Sequence, residues 1–384
     1  MYDPEAGSIE DLSAPPYDVI SPLDQDRLYR ASPFNVVRLI LGKDEPGDRS
    51  SENKYTRAAS YLRSWRDQGV LRRTSRPALY AYELGFRFGG EDRLIRGVIA
   101  EVELEPFGGS ILPHERTMPG PVEDRLALLR AVRANLSPVY TVFVQRSPEM
   151  ATFLEGAMAG PPDRTLVDES GTRHRMWAVT DRRAEGELCS GLDARPFMIA
   201  DGHHRYTVAL AYRREMRARF GPGPWDSMMM FIVDAGTEGP LVLPIHRVVM
   251  GDPPHNGFGG LVVRDMAETL ASVRDDDVSF GLVRMEDGEL THRVVQLGGS
   301  PPTVRALHEQ VLDKLERAEL RFVPDSVAAE QAVRSGKASA AFLLPPTRVE
   351  RLWTVIRAGA ELPQKSTYFW PKPRTGMVIR PLDD

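Results

Sequence analysis

An α/β protein of the α+β kind, with mixed sheets and flanking helices, is predicted by two observations. Apolar stretches of helical period alternate irregularly with short runs rich in Val, Ile, Tyr and Phe. Gly- and Pro-rich spans at 221–225 and 251–260 break the chain into loops without setting up a regular βαβ repeat.

The helices carry the stronger signals. Residues 51–68 place Tyr55, Ala58, Ala59, Leu62 and Trp65 on one face, with Ser50 or Ser51 as cap and Gly69 as stop. Residues 122–134 follow Pro121, with Glu123 and Asp124 in the first turn. Further helices are expected at 203–219, 301–317 and 346–358. Strands are expected at Val36–Leu41, Ala78–Phe88, Leu94–Leu104, Pro138–Val144, Arg175–Val179, Phe197–Ala200, Met228–Val233, Leu241–Val249, Val278–Met285, Arg293–Leu297 and Ala340–Leu344.

The length of 384 residues is too great for one small core. Two domains are expected, 1–240 and 241–384, with the boundary in the span 235–255. Composition is that of an ordinary globular protein, 42% hydrophobic and 27% charged. A net charge of −5 offers no general basic surface, so neither nucleic acid nor a membrane is an expected partner. The one cysteine, Cys189, excludes an internal disulfide and a Cys-based zinc site. No signal-peptide pattern or apolar run of membrane length is visible, and a cytoplasmic location is expected. A homo-oligomer is compatible with this composition.

Candidate chemistry concentrates in a few stretches. In FMIADGHHRYTVAL an apolar run meets Asp201-Gly202, and His203, His204 and Arg205 open a helix. Cations oppose the helix dipole there by roughly 0.3–1 kcal/mol each. A bound anion reverses the sign, because free N–H groups, imidazoles and a guanidinium then converge on one phosphate. The plain alternative is a strand–turn–helix whose Asp201 caps the helix, with structural histidines or a metal site.

In ILPHERTMPGPVEDRL the prolines stiffen a loop that carries His114, Glu115 and Thr117. Glu115 is a candidate general base, and His114 a metal ligand or hydrogen-bond partner. SAPPYDVISP offers the Tyr17 hydroxyl and the Asp18 carboxylate. LPIHRVV puts His246 and Arg247 in a strand, with one of the two expected to face a pocket. In ELPQKSTYFWPKPRTG, Lys365-Ser366-Thr367 resembles the end of a P-loop without its glycines. Tyr368, Phe369 and Trp370 would stack on a base or cover the core.

Taken in order, SAPPYDVIS, LPHERTMPGPVEDRL, IADGHHRYTVAL, LPIHR and LPQKSTYFWPKP resemble the DUF1015 family of unknown function over nearly the whole chain. The stretch ADGHHRYTVA is also similar to the Gly-x-His-Arg box of the ParB/sulfiredoxin superfamily, which includes free-serine kinases. That resemblance implies a nucleotide-binding core followed by a C-terminal α/β domain that supplies Lys365, Ser366 and Thr367 to the site. It implies a box that binds nucleotide phosphates and a glutamate that acts as base, here Glu115 in the pair His114-Glu115. Asp201-Gly202 stands where sulfiredoxin has its cysteine, which disfavours sulfinic acid reduction. Related sequences carry a lysine where Val122 stands, and the N-terminus is short for the family.

The expected function is therefore an ATP-dependent phosphotransferase on a small hydroxyl metabolite, free L-serine first. The expected partners are a nucleotide and a small-molecule substrate. Glu115, His114 and Asp201 would be catalytic. Gly202, His203, His204, Arg205, Arg125, Lys365, Ser366 and Thr367 would hold phosphates. Tyr17, Asp18, Thr117, His246 and Arg247 would meet substrate, and Mg²⁺ would lie on phosphate oxygens with help from Asp201. Two alternatives stand beside it. One is a metal-dependent hydrolase or phosphatase using His114, Glu115, Asp201, His203 and His204. The other is a non-catalytic nucleotide-binding regulator of the ParB type.

Overall fold

A computed structural model describes residues 1–115, 119–193, 195–251, 259–315 and 319–383. The described chain is a mixed α/β protein with several sheets and flanking helices. It divides into two compact units, one comprising 1–113, 117–239 and 371–384, the other 114–116 and 240–370. A cut at 240/241 therefore misplaces the C-terminal 371–384, which pack in the first unit, and His114–Arg116, which pack in the second.

The first unit is built on eight strands: Leu79–Phe88 (β1), Glu91–Glu103 (β2), Ile111–Leu112 (β3), Val139–Phe143 (β4), Arg164–Val167 (β5), Arg173–Val179 (β6), Phe197–Asp201 (β7) and Ser227–Asp234 (β8). Their order in the sheet is β3-β7-β4-β8-β2-β1-β6-β5. β1 and β2 form a hairpin closed by Gly89-Gly90, both at positive φ, the backbone that a two-residue hairpin turn requires. Only β3–β7 and β4–β8 are parallel pairs. Gly97 in β2 is a close-approach position, since a Cβ there would lie 2.3 Å from the Ile232 carbonyl oxygen. The helices Pro119–Val132 and His203–Phe220 bury Leu129, Val208 and Tyr212 together, with Val122 packed against them.

The expected strand Val36–Leu41 is instead part of a helical layer, with Val37–Ile40 one helical turn. Val36, Val37, Leu39 and Ile40 are all buried in one cluster with Leu12, Leu28 and Trp65. A run that is apolar on every side carries no period, so it does not distinguish strand from helix. The buried Asn35 fixes the turn, accepting from Val37 N–H at 2.8 Å and donating to the Asp11 and Ser13 carbonyls. The cap of the Lys54–Asp67 helix is Asn53, in a capping box with Thr56, and not a serine.

The second unit holds six strands: His246–Met250 (β9), Leu261–Val263 (β10), Ser279–Glu286 (β11), Glu289–Gln296 (β12), Glu319–Val323 (β13) and Ala340–Leu343 (β14), in the order β10-β12-β11-β14-β9-β13. The single strand expected at Leu241–Val249 is two. Pro244 has no N–H for a ladder, so Leu241–Leu243 pairs with Tyr368–Trp370 while β9 enters the six-stranded sheet. The helix expected at 301–317 runs over Thr303–Gln310, followed by a short turn at Leu312–Lys314.

Candidate functional site

The sequence-predicted residues fall into two groups, one in each unit. In the first unit, β7 is buried along Phe197–Ala200 and ends at Asp201. Gly202 then adopts φ +97°, ψ 26°, and the His203–Phe220 helix begins with no side chain capping it. Only glycine enters this left-handed turn without strain. It also leaves room for Arg205, whose Cζ would stand 2.9 Å from a Cβ at 202.

Asp201 is therefore not the helix cap. Its Oδ2 accepts from Arg205 Nη2 at 2.6 Å, and its Oδ1 accepts from Lys372 Nζ. Lys372 also reaches Asp18 Oδ2 at 3.2 Å. Arg205 Nη1 donates to Ser137 Oγ at 2.9 Å and to the Pro138 carbonyl. Lys372 is 9% exposed, Asp201 13% and Arg205 14%. Burial alone would raise the Asp201 carboxyl, but the charges of Lys372 and Arg205 outweigh it and hold the group well below the usual carboxylate range.

This geometry corrects the reason given for a cationic helix start. The anion that offsets Arg205 is Asp201 of the same chain, and the guanidinium is turned inward rather than held out for a phosphate. Arg125 is likewise committed: Nε and Nη2 donate to Asp124 Oδ2, Nη1 donates to the Ile40 carbonyl at 2.6 Å, and its plane lies over the Tyr17 ring. Tyr17 is pushed up by burial, with Asp18 adding to the effect. A cavity of about 70 Å³ beside Tyr17, Arg125, Ser137 and Arg205 has room for a few waters and not for a nucleotide. His203 is buried and His204 half-buried.

Lys372 was not singled out by sequence reasoning. It lies inside the quoted run as Trp-Pro-Lys-Pro, and its signal was a lone lysine fixed between two prolines. It ties Asp18 of the Pro-Pro-Tyr-Asp stretch to Asp201 of the DGHHR stretch.

In the second unit the loop Leu362–Thr367 wraps His114 and Glu115. Leu362 N–H donates to the His114 carbonyl at 3.0 Å, and Glu115 bridges Leu362 in parallel register. The Glu115 carboxylate accepts from Lys365 N–H at 3.0 Å, Thr367 N–H at 2.9 Å and Thr367 Oγ1 at 3.0 Å. His114, fully buried, approaches the same hydroxyl at 2.6 Å and Glu115 Oε1 at 3.3 Å, with Phe369 against its ring. Lys365 takes φ +55°, which aims its N–H at the carboxylate. Its ammonium has no hydrogen-bond or ion-pair partner among the described residues. Ser366 closes the turn on the Pro363 carbonyl at 2.5 Å and is buried. Lys365-Ser366-Thr367 thus forms a cradle for a carboxylate through its backbone. Thr117 lies outside the described residues.

Neither His246 nor Arg247 faces a pocket. His246 is buried, its Nδ1 accepts from Leu344 N–H at 3.1 Å, and burial with the adjacent Arg247 charge lowers it to about 4. Arg247 is fully buried and lies over the Phe322 ring. Among the described residues no group of three or more His, Cys, Asp or Glu side chains could hold a metal ion. With both oxygens of Asp201 engaged by cations, that carboxylate does not fit as a Mg²⁺ ligand. No described helix is long and apolar enough to cross a membrane.

The motifs that the structure gathers, an Asp-Lys-Asp-Arg cluster in one unit and a cradled glutamate in the other, are those of a family defined by sequence and not by an assigned activity. The chain belongs to that family, described as "Protein of unknown function (DUF1015)", whose model matches residues 1–311. No curated protein matches the chain. Among solved structures it is similar to a free serine kinase in complex with AMP, at 14% identity and TM-score 0.40, covering 70% of this chain and 86% of the other. It is similar to a conserved hypothetical protein from Pyrococcus furiosus, at 15% identity and TM-score 0.39, covering 70% and 89%. It is also similar to SbnI with C-terminal truncation from Staphylococcus aureus, at 11% identity and TM-score 0.43, covering 74% and 87%.

Proposed function

We propose that this protein transfers a phosphoryl group from ATP to a small hydroxyl compound, with free L-serine the first acceptor to try. The observation that carries the reading is the cradled Glu115. Two backbone N–H groups and one hydroxyl fix its carboxylate in position. Hydrogen bonds of this kind favour the ionised form, which is the form that accepts a proton. Phosphoryl transfer asks for little covalent chemistry from a protein. It needs a positioned acceptor hydroxyl, a base and cations on the moving charge.

In this reading Glu115 accepts the acceptor's hydroxyl proton as its oxygen attacks the terminal phosphorus. The Lys365 ammonium offsets charge on the transferred group. The uncapped start of the His203–Phe220 helix, opened by Gly202, receives donor phosphates on its backbone N–H groups. His203 and His204 belong to that turn. Arg205, Lys372 and Asp18 shape the turn through Asp201 and do not grip phosphate themselves. Mg²⁺ is expected with ATP, and no residue of the first unit is assigned to it. The resemblance of the DGHHR stretch to a phosphate-binding box supports the same reading.

The test is turnover with ATP and L-serine, followed as phosphoserine, in wild type and Glu115→Gln. The reading expects product from wild type and a loss of about 10²–10⁴-fold in the variant. ATP binding with no acceptor consumed would favour a nucleotide-binding regulator instead. Equal turnover in the two proteins would remove Glu115 from the reaction.

A further inference from the structure

LPIHR is a motif for which the proposed reaction has no use. Its arginine is the largest fully buried side chain of the described residues. A buried guanidinium is costly unless its charge is answered. Here no carboxylate hydrogen-bonds to it among the described residues. Nε donates to His308 Nε2 at 3.1 Å, Nη1 to the Ile245 carbonyl at 2.6 Å, and Nη2 to the Gln364 carbonyl in a long contact of 3.4 Å. His308 is held in turn by Asp313 at 3.1 Å.

The third contact matters most. The carbonyl of Gln364 and the N–H of Lys365 belong to one planar peptide unit. The oxygen end of that unit points to Arg247, and its N–H end donates to Glu115 Oε2 at 3.0 Å. A cation at the oxygen end and an anion at the hydrogen end both align with the peptide dipole, and each polarises the other's bond. Lys365 stays at positive φ in this orientation, a strained backbone that surrounding contacts must hold.

We propose that Arg247 is a positioning residue that acts on Glu115 through the Gln364–Lys365 peptide, locking the amide against the carboxylate and supplying the positive charge that the buried anion faces. Arg247 touches no substrate in this account. The proposal rests on Glu115 being the base only for its effect on turnover. The lock itself can be read without any reaction.

The chain has six lysines, so protein labelled with ¹⁵N-lysine has few amide signals to resolve. Amide hydrogen exchange at Lys365 is the readout. Lys314, in the same unit with its N–H on the Val311 carbonyl at 3.3 Å, is the internal control. In Arg247→Met, Lys365 exchange should speed about tenfold, the size of one hydrogen bond, with Lys314 unchanged. Arg247→Lys keeps a cation without the planar fork and should lie between the two. If Arg247→Met does not fold, Arg247→Gln takes its place with the same expectation. Lys365 exchange equal to wild type in a folded neutral variant overturns the proposal, as does acceleration shared equally with Lys314. In the turnover assay the neutral variant should lose kcat while KM for ATP holds. Absence of turnover in wild type would count against the phosphotransferase reading and leave the exchange result standing.

Discussion

The two units hold their key carboxylates by opposite means. Asp201 is neutralised by side chains, with Lys372 and Arg205 each on one oxygen and Asp18 sharing the lysine. Glu115 is held by the backbone, through the N–H groups of Lys365 and Thr367, with one hydroxyl added. A carboxylate balanced by ion pairs has little left to offer a proton or a metal, and it fixes a turn. A carboxylate held by neutral dipoles keeps its full negative charge. The first arrangement suits architecture at the start of a helix, and the second suits chemistry. Side-chain substitutions should damage the first most, and backbone geometry should govern the second.

The sharpest break between them is expected from Lys372→Met. It leaves Asp201 with one cation in a site closed to water, a loss of about 3–4 kcal/mol in urea unfolding. Adding Asp201→Asn should restore part of it, because the uncompensated charge is then gone. A double variant as unstable as the sum of the singles would mean that the pair does not act as a unit.

Acid comes next. His246 is neutral in the fold, lowered to about 4 from an unfolded value near 6.5. The unfolded chain binds the extra proton first, so stability is full above about pH 6.5 and falls as pH drops toward 4. The expected contribution is about 2–3 kcal/mol. His246→Gln can still accept from Leu344 N–H and carries no proton, so its stability should be flatter across that window. An unchanged acid slope in the variant would show that His246 is not the group responsible.

Lys365→Gly should have the smallest effect on stability. It relieves a positive-φ lysine and raises chain entropy in the unfolded state, so the net change should stay within about 1 kcal/mol. The amide that holds Glu115 survives, while the ammonium is lost. Turnover should therefore fall in this variant with little change in unfolding. A large destabilisation would mean that the side chain, and not the backbone, builds the cradle.

Much of this was legible in the sequence. The strand–turn–helix at Phe197–Phe220 followed from an apolar run, Asp-Gly and a helical period. Glu115 and Lys365-Ser366-Thr367 were marked as candidates, although the hydrogen bonds between them span 250 residues and no local pattern encodes such pairing. Arg125, Arg205 and Arg247 were read as available cations because a sequence shows charge and not its partner. Each proved engaged inside its own unit. Lys372 escaped notice because two prolines made it look like loop. The helical turn at Val37–Ile40 was missed because burial on every side erases the period that separates helix from strand.

The division of labour is tested most directly by calorimetric titration of ATP into wild type and Glu115→Gln under the same conditions. With the donor phosphates held at the start of the His203–Phe220 helix and the proton taken by Glu115, both proteins should bind ATP with equal affinity. An ATP affinity that collapses in Glu115→Gln would place the glutamate in the nucleotide grip and contradict the account.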